Sequence, residues 1–260
     1  MMSNEPQVIR LCESAQTELA YPCMEDVPTP WPVALQTCRA WMAQNLGDTV
    51  EGIHLQDSAG NVIGHVYYGA SERALIPYQV EEQVAVVYCE WIQRRYQGQG
   101  YARLLSDALI RHLDSEGYKG ILVAATDDEQ CMHHSHFVQR GFRLLQQAGP
   151  LRLAYYPLRQ ERVEVQPIEL RIRPERRHPV EIIVFAGGTC AHEVATSSSA
   201  LQVAREFGNR VVLREIATTI ENLRAYGAAS GVYINGRRTL PGGASEEAIR
   251  QAIRDELEEI

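Results

Sequence analysis

The alternation of apolar and polar residues predicts a regular succession of helices and strands along the chain. Apolar residues recur at helical spacing over Ala34–Leu46. Two strand-like segments, Val50–Asp57 and Asn61–Gly69, flank the turn residues Ser58–Asn61, a pattern typical of a β-hairpin. A further strand is predicted over Gln83–Ile92, where valine and aromatic residues are frequent.

The next part of the chain completes a first domain. Tyr101–Glu116 carries apolar residues on one helical face, and Lys119–Ala125 is a short apolar strand. A helix is expected over about Asp128–Arg140, and Phe142–Leu145 with Leu151–Leu158 indicates a closing hairpin. We therefore expect an α/β (α+β) domain with a mixed, largely antiparallel sheet over residues 1–158.

A second, smaller domain is predicted after residue 178, in the order β-α-β-α-β-β-α. Its expected elements are Val180–Ala186, a helix from Cys190 to about Phe207, Asn209–Ile216, Thr219–Tyr226, Gly231–Ile234, Arg237–Leu240 and a helix capped by Ser245 that runs through Glu258. This order is typical of the thioredoxin-like layout. We assign it to residues 179–260, with residues 159–178 as a linker.

Composition narrows the class of protein. The 260 residues are 45% hydrophobic and 22% charged, and no apolar run approaches the roughly 20 residues of a membrane span. The opening MMSNEPQVIR lacks the features of a secretory or transit peptide, which predicts a cytoplasmic location. The net charge of −8 disfavours nucleic-acid and membrane partners.

The cysteines predict reduced thiols, and the clustered arginines mark a linker. The six cysteines contain no CxxC pair, which favours reduced thiols over disulfides or a zinc site: Cys12, Cys23, Cys38, Cys89, Cys131 and Cys190. Basic residues concentrate in the linker, among Pro167, Pro174 and Pro179: Arg159, Arg162, Arg171, Arg173, Arg176 and Arg177. This stretch is read first as a solvated linker and second as a binding patch.

The glycines after the strand Gln83–Ile92 are the strongest chemical feature. Gly98 and Gly100 allow backbone N–H groups at a helix N-terminus to point at one anion, such as a pyrophosphate, although a glycine pair also fits a plain tight turn. A Walker A loop is excluded because Gly-Lys-Ser/Thr is absent. A dinucleotide GxGxxG loop is excluded because Arg103 stands where a small residue is needed.

The segment Gln97–Ala102 resembles the Q/R-x-x-G-x-G/A motif of the GNAT acetyltransferase superfamily. HFVQRGFRLL, with Gly141-Phe142, is similar to the closing motif of that family. The resemblance implies an N-acetyltransferase that uses acetyl-coenzyme A and acts on a small-molecule or peptide amine, in an oligomeric state left open. It implies two sets of cofactor-binding residues: Gln97, Gly98, Gln99, Gly100, Tyr101 and Ala102 for the pyrophosphate, and Trp91, Ile92 and Gln93 for the thioester.

Catalytic groups are harder to assign. Relatives often have a general-acid tyrosine where this chain has Phe137, which cannot donate a proton. Glu90, on the strand before the turn, is one candidate for proton transfer and otherwise an ordinary strand residue. His134 and His136, in a cluster with His133, are the others, because imidazole titrates near neutral pH. No metal ion is predicted. Tyr88 shares a face with Glu90 and is expected either to line the cleft or to fill the core.

Cys190 opens the first helix of the second domain, where thioredoxin-like proteins place their redox centre. In Cys190-Ala-His-Glu193 the second cysteine of a CxxC motif is missing, and Glu193 disfavours a thiolate. A reactive monothiol, a recognition module and a structural role remain open. The order of the two domains resembles acetyltransferases with a C-terminal YoaP-type domain. Two alternatives to acetyl transfer therefore stay open: a non-catalytic acyl-coenzyme A sensor and a monothiol redox protein.

Overall fold

The structure is a computed structural model that describes residues 5–24, 32–128, 132–148, 151–173 and 179–258. The chain divides into two compact units. The first unit comprises Met1–Glu25, Met42–Ala74 and Gln79–Gln166. The second unit comprises Asp26–Trp41, Leu75–Tyr78 and Pro167–Ile260. No helix among the described residues combines the length and apolar character that crossing a membrane requires.

Thirteen strands and six α-helices make up the described chain. In the first part these are β1 Gln7–Arg10, α1 Pro32–Asn45, β2 Glu51–Gln56, β3 Val62–Ala70, β4 Tyr78–Val80, β5 Val84–Ile92, α2 Tyr101–Ser115, β6 Gly120–Thr126, α3 His134–Val138, β7 Arg143–Ala148, β8 Leu151–Pro157 and β9 Val165–Pro167. The remainder are β10 Val180–Ala186, α4 Ala191–Glu206, β11 Val211–Ala217, α5 Ile220–Tyr226, β12 Val232–Ile234, β13 Arg237–Leu240 and α6 Glu246–Glu258.

The first unit is built on a seven-stranded sheet in the order β1-β2-β3-β5-β6-β8-β7. Only β5 and β6 run parallel, and every other neighbouring pair in this sheet is antiparallel. The prediction of a mixed, largely antiparallel sheet is therefore confirmed. The predicted β2–β3 hairpin is also present, and Asp57 closes its turn by accepting hydrogen bonds from the N–H groups of Ala59 and Asn61, each at 2.9 Å.

The two parallel strands separate part of the way along their length. β5 and β6 are paired from Val84 opposite Gly120 to Val87 opposite Val123. Beyond that point β5 stays paired with β3, and β6 with β8, as far as Ile92 and Thr126. Burial changes at the same place, because Val84–Val87 are buried whereas Tyr88–Trp91 are half-buried. In a sheet, each strand offers backbone N–H and C=O groups to both of its neighbours. Because β5 and β6 are no longer paired with each other beyond Val87 and Val123, the sheet is open between these strand ends.

Helix α2 is held against this sheet by one apolar face. Leu105, Leu109 and Leu113 recur at helical spacing, and all three are buried in the core of the first unit. Burying a leucine side chain stabilises the fold by about 1.5–3 kcal/mol. Their contacts fix the helix axis, so the N-terminus of α2 lies directly after β5 and its connecting turn.

The second unit is a four-stranded sheet in the order β11-β10-β12-β13. β10 runs parallel to β11 and antiparallel to β12, which in turn is antiparallel to β13. Alternate residues of β10 enter two different cores. Val180, Ile182 and Val184 pack with residues of α4 and α6, whereas Ile183 and Phe185 pack on the opposite face. The predicted element order of this region is confirmed.

Several expectations differ from the structure or fall outside it. Among the described residues of 128–140, the expected helix is limited to His134–Val138, because Met132 has a positive φ of 49° and His133 caps the helix from non-helical backbone. Strand β1 was not predicted, since its burial is low along its whole length. Cys131, Pro174, Arg176 and Arg177 lie outside the described residues.

The predicted linker includes residues that pack within one unit or the other. Arg159 forms an ion pair with Asp114 at 3.2 Å in the first unit. Ile172 is 4% exposed and belongs to a core of the second unit. The domain limits at residues 158 and 179 stay predictions.

Candidate active site

The turn between β5 and α2 presents a row of backbone donors. Gly98 and Gly100 have φ values of 74° and 84°, in the left-handed region that glycine adopts without strain. Gly100 is the N-cap of α2, and no side chain caps this helix. The N–H groups of Gly98, Gln99, Gly100, Tyr101 and Ala102 have no acceptor among the described residues.

Space beside these donors is open. A Cβ atom built on Gly98 or Gly100 meets nothing within 4 Å. The turn lies at the positive end of the dipole of a 15-residue helix. Consecutive exposed donors at such a position can hold a phosphate or pyrophosphate group without further rearrangement.

The polar residues before the turn hold it in place. Gln93 hydrogen-bonds to β3 through both its backbone N–H, to Ile63 O at 2.9 Å, and its side chain, to Val62 O at 3.1 Å. The Gln97 side chain donates to Ile92 O at 2.9 Å. Of the predicted cofactor residues, Gln93 and Gln97 thus use their side chains to shape the turn, and the Ile92 side chain is 6% exposed in the core.

Glu90 lies under the turn and is paired with Arg140. Both side chains are nearly buried, with exposed fractions of 8% and 10%. Burial raises the pKa of the Glu90 carboxyl, and the charge and hydrogen bond of the Arg140 guanidinium oppose that shift. Arg140 also donates from Nε to His136 O at 3.0 Å and from Nη1 to Ala102 O at 3.4 Å. It therefore connects β5, the first turn of α2 and α3.

The histidine cluster lies beside the end of β6. His134 Nδ1 is 3.3 Å from Thr126 O and 3.3 Å from Asp127 Oδ1, and Arg152 pairs with the same Asp127 carboxylate. When Nδ1 carries the proton, the other ring nitrogen, Nε2, is the basic one. His134 is half-buried. The opening between β5 and β6 therefore has His134 on its β6 side.

The other two histidines serve α3 itself. His133 Nδ1 accepts from the Ser135 N–H at 3.3 Å and is 2.8 Å from Ser135 Oγ, so this ring caps the helix. His136 is exposed, and its carbonyl oxygen binds Arg140. The structure thus brings His134, but not His136, into a carboxylate–imidazole pair.

Phe137 faces the core of the first unit. It is 1% exposed, its ring packs edge-on against Phe142 at 5.5 Å, and the Arg140 guanidinium carbon lies 4.7 Å over its face. The position where the family resemblance implies a general-acid tyrosine is therefore an apolar packing position here. Tyr88, the other aromatic candidate, is half-buried and donates its hydroxyl to Thr49 O at 2.9 Å.

Sequence reasoning did not identify Arg140 and Asp127. Arg140 lies 50 residues from Glu90, so no local spacing reveals their pairing. A signal in the sequence is the glycine that follows Arg140, because Gly141, with a positive φ of 97°, turns the chain just after α3. Asp127 follows β6 directly, where polar side chains emerge from a sheet.

In the second unit, Cys190 is the N-cap of the 16-residue helix α4. It is half-buried in a small recess lined by Gly187, Gly188, Thr218 and Ser230, among others. Gly187 O accepts a hydrogen bond from Thr218 Oγ1 at 3.1 Å. The described recess contains no second cysteine, so an intramolecular dithiol reaction has no partner within it.

Comparison with known proteins finds similarity to acetyltransferases in the N-terminal part of the chain. Residues 17–142 match the model of the acetyltransferase (GNAT) family. A GNAT acetyltransferase of Staphylococcus aureus Mu50 is 13% identical with a TM-score of 0.44, and the match covers 59% of this chain and 99% of that one. The Escherichia coli ribosomal-protein-S18-alanine N-acetyltransferase is 17% identical with a TM-score of 0.41, covering 64% and 95%.

A further Escherichia coli GNAT N-acetyltransferase, solved in complex with CoA, is 16% identical with a TM-score of 0.45, covering 61% and 84%. No curated protein matches the chain. The family model covers the strand separation, the glycine turn and the helix that follows it. The match to the GNAT acetyltransferase family is therefore confined to residues 17–142, just under half of the chain.

Proposed function

We propose that the first unit transfers an acetyl group from acetyl-coenzyme A to the amine of a small molecule or peptide. The row of five unsatisfied backbone donors at Gly98–Ala102 carries this proposal. These groups would bind the coenzyme A pyrophosphate, and the separation of β5 from β6 would admit the thioester end. A GNAT enzyme transfers the acetyl group by direct attack of the amine, so no covalent enzyme intermediate is proposed.

The reaction needs an unprotonated amine and a donor for the developing oxyanion. For the donor we propose backbone N–H groups near Trp91–Gln93, at the end of β5. For the base we favour His134 over Glu90 and His136. Asp127 supports this choice because it fixes the His134 ring through Nδ1, whereas the Glu90 carboxylate is already engaged by Arg140. Since Phe137 cannot donate a proton, the coenzyme A thiolate would take its proton from water.

Calorimetric titration of the full chain with acetyl-coenzyme A tests cofactor binding. We expect saturable binding that coenzyme A competes for. Absence of heat at millimolar ligand would overturn the proposal. Thiol release measured over a panel of amines then tests turnover.

His134→Gln tests the base. General-base catalysis contributes about 10²–10⁴-fold in rate, so kcat/KM is expected to fall by at least about 100-fold while the affinity for acetyl-coenzyme A is unchanged. The matched control is His112→Gln on α2, a histidine outside the cluster. Equal rates for the two variants would contradict the assignment of His134.

A non-catalytic acyl-coenzyme A sensor is the second candidate, and the buried Phe137 favours it. It predicts tight cofactor binding with no turnover above background for any amine. Measurable turnover excludes it.

For the second unit we propose a thioredoxin-like fold with a role in recognition. The order β11-β10-β12-β13, with β10 and β11 parallel and α4 starting after β10, supports this proposal. The cis-proline that this fold places before its third strand has no counterpart in Ala229-Ser230-Gly231. A monothiol reaction at Cys190 remains the alternative, and resistance of native Cys190 to iodoacetamide would exclude it.

A further inference from the structure

On the face of β5 opposite Glu90, two cysteines and a histidine converge. One ligand atom from each of Cys23, His65 and Cys89 lies within 4.8 Å of the others. His65 Nε2 is 3.2 Å from Cys89 Sγ. These residues belong to three separate segments of the first unit: the turn after residue 20, β3 and β5.

The His65 imidazole is not fully satisfied by hydrogen bonding. Its exposed fraction is 0%, and Nδ1 has no partner among the described residues. A fully buried imidazole is neutral and carries one proton. In either tautomer, a weak contact with a thiol at Nε2 leaves a polar atom at Nδ1 unpaired, which costs about 1–3 kcal/mol. The ring is therefore buried without full hydrogen bonding, and its Nε2 lies against the Cys89 thiol.

The position of the ring is fixed by its neighbours. His65 stacks on Tyr67 with ring centroids 4.2 Å apart. The Tyr67 hydroxyl accepts from the Tyr21 N–H at 2.9 Å and lies 3.0 Å from His54 Nε2. These contacts join β3 to the segment that carries Cys23.

Two irregularities of the backbone bring the thiols to this ring. Tyr21 has a φ of 64°, which is strained for a bulky side chain, and its carbonyl accepts from Met24 N–H at 3.0 Å, so the chain turns and carries Cys23. On the sheet, the pairing register between β3 and β5 shifts between Tyr67 and Tyr68, next to the Tyr67–Cys89 pair. Such bulges redirect side chains near functional sites.

We propose that Cys23, His65 and Cys89 bind a soft divalent metal ion of the zinc class. Two thiolates and a neutral imidazole are the donors that such ions prefer, and calcium and magnesium prefer oxygen donors. Tetrahedral zinc holds nitrogen at about 2.0–2.1 Å and sulfur at about 2.3 Å, so its ligand atoms are about 3.5–3.8 Å apart. The three ligand atoms all lie within 4.8 Å of one another, so shifts of about 1 Å would bring them to this spacing.

Binding displaces the thiol protons to solvent, and the two thiolates neutralise the charge of the ion. Three protein ligands leave a fourth position for water or another small ligand. Cys89 lies beyond Val87, on the part of β5 that has separated from β6. This proposal replaces the sequence-based expectation of no metal site and does not depend on acetyl transfer.

The test uses the full chain, reduced and freed of metal. Zinc affinity is measured by competition with a chromophoric chelator, and Co²⁺ serves as a spectroscopic probe. We expect one ion per chain and a thiolate-to-cobalt charge-transfer absorption. Cys23→Ser and Cys89→Ser should each weaken zinc binding by about 100-fold and reduce this absorption, since each removes one of only three ligands.

Cys190→Ser is the matched control, because Cys190 is half-buried like the two proposed ligands but lies in the second unit. It should leave the zinc affinity and the cobalt spectrum unchanged. The proposal fails if cobalt gives no charge-transfer absorption, or if zinc binds the Cys23→Ser/Cys89→Ser protein as tightly as the parent. It also fails if mass spectrometry of the protein, isolated with free thiols blocked at lysis, finds Cys23 and Cys89 joined as a disulfide.

Discussion

Both units place glycines between the end of a strand and the start of a long helix, but different surroundings give these two turns different capacities. At Gly98 and Gly100 a Cβ would meet only open space. At Gly187 it would come 2.7 Å from the Trp41 ring, and the Gly187 carbonyl is bound by Thr218. Conformation requires glycine in both turns, since all three φ values are positive. The space beside the first turn is open, whereas the Trp41 ring occupies the space beside Gly187 in the second.

The turns also differ in what supports them. A buried ion pair, Glu90–Arg140, lies under the first turn and reaches the carbonyl of Ala102. The second turn is supported by packing, with the Trp41 indole N–H donating to Thr218 O at 3.3 Å. An ion pair beneath a turn can hold the backbone of the turn in place and leave the space above its N–H groups empty. The comparison suggests that the first turn is built to hold a ligand and the second to hold the fold.

The largest effect is expected from Arg140→Met. It leaves the Glu90 carboxylate buried without its cation, which should lower the free energy of unfolding of the first unit by about 3–5 kcal/mol. The deficit should be larger at pH 8 than at pH 5. Burial raises the folded-state pKa of Glu90, so its protonated form favours folding at low pH, and that contribution is lost as pH rises through the folded pKa.

Hydrogen exchange of the α2 amides under denaturant measures this stability in the first unit alone. Arg143→Met is the control, because the Arg143–Glu161 pair is exposed on both sides and should contribute little. Adding Glu90→Leu to Arg140→Met should recover part of the loss. A deficit that does not depend on pH would contradict the role assigned to the ion pair.

The next largest effect is expected from Gly187→Ala. A Cβ forced against Trp41 adds about 1–3 kcal/mol of overpacking to about 1–2 kcal/mol of left-handed backbone strain. Gly208→Ala, at φ 58° with nothing within 4 Å of its Cβ, should show the strain alone. Unfolding in denaturant measures the free energy of unfolding of each variant, and the two losses are compared. Equal losses would show that packing at Gly187 contributes nothing.

Gly100→Ala is expected to lower stability less than Gly187→Ala does. Its specific effect should be on the binding of coenzyme A. We expect at least about tenfold weaker binding of coenzyme A, or about 1.4 kcal/mol, because the added methyl group enters the space above the donors and strains their directions. Gly47→Ala is the matched control, since Gly47 has a φ of 80° and equally open space in the same unit. Calorimetry should show that the control binds coenzyme A as tightly as the parent protein does.

The sequence predicts some of these features much better than others. The glycine turn and its helix are local, so the spacing of Gly98, Gly100 and the leucines of α2 reveals them directly. The Glu90–Arg140 pair and the Cys23, His65 and Cys89 group depend on segments far apart in the chain, which local patterns do not record. The length of α3 was overestimated because the apolar spacing over 128–140 gives no sign of the positive φ at Met132.

The smallest effect is expected from Cys190→Ser. Serine is close to cysteine in size and can occupy the same half-buried N-cap, where hydroxyl side chains are favoured. If the second turn supports the fold and carries out no thiol chemistry, the affinity for coenzyme A and the rate of acetyl transfer should both stay within about twofold of the parent, roughly 0.4 kcal/mol. Thiol-release kinetics and calorimetry measure the two quantities. A rate loss of tenfold or more with unchanged stability would instead make Cys190 a functional thiol, and would end the distinction between a turn that holds a ligand and one that holds the fold.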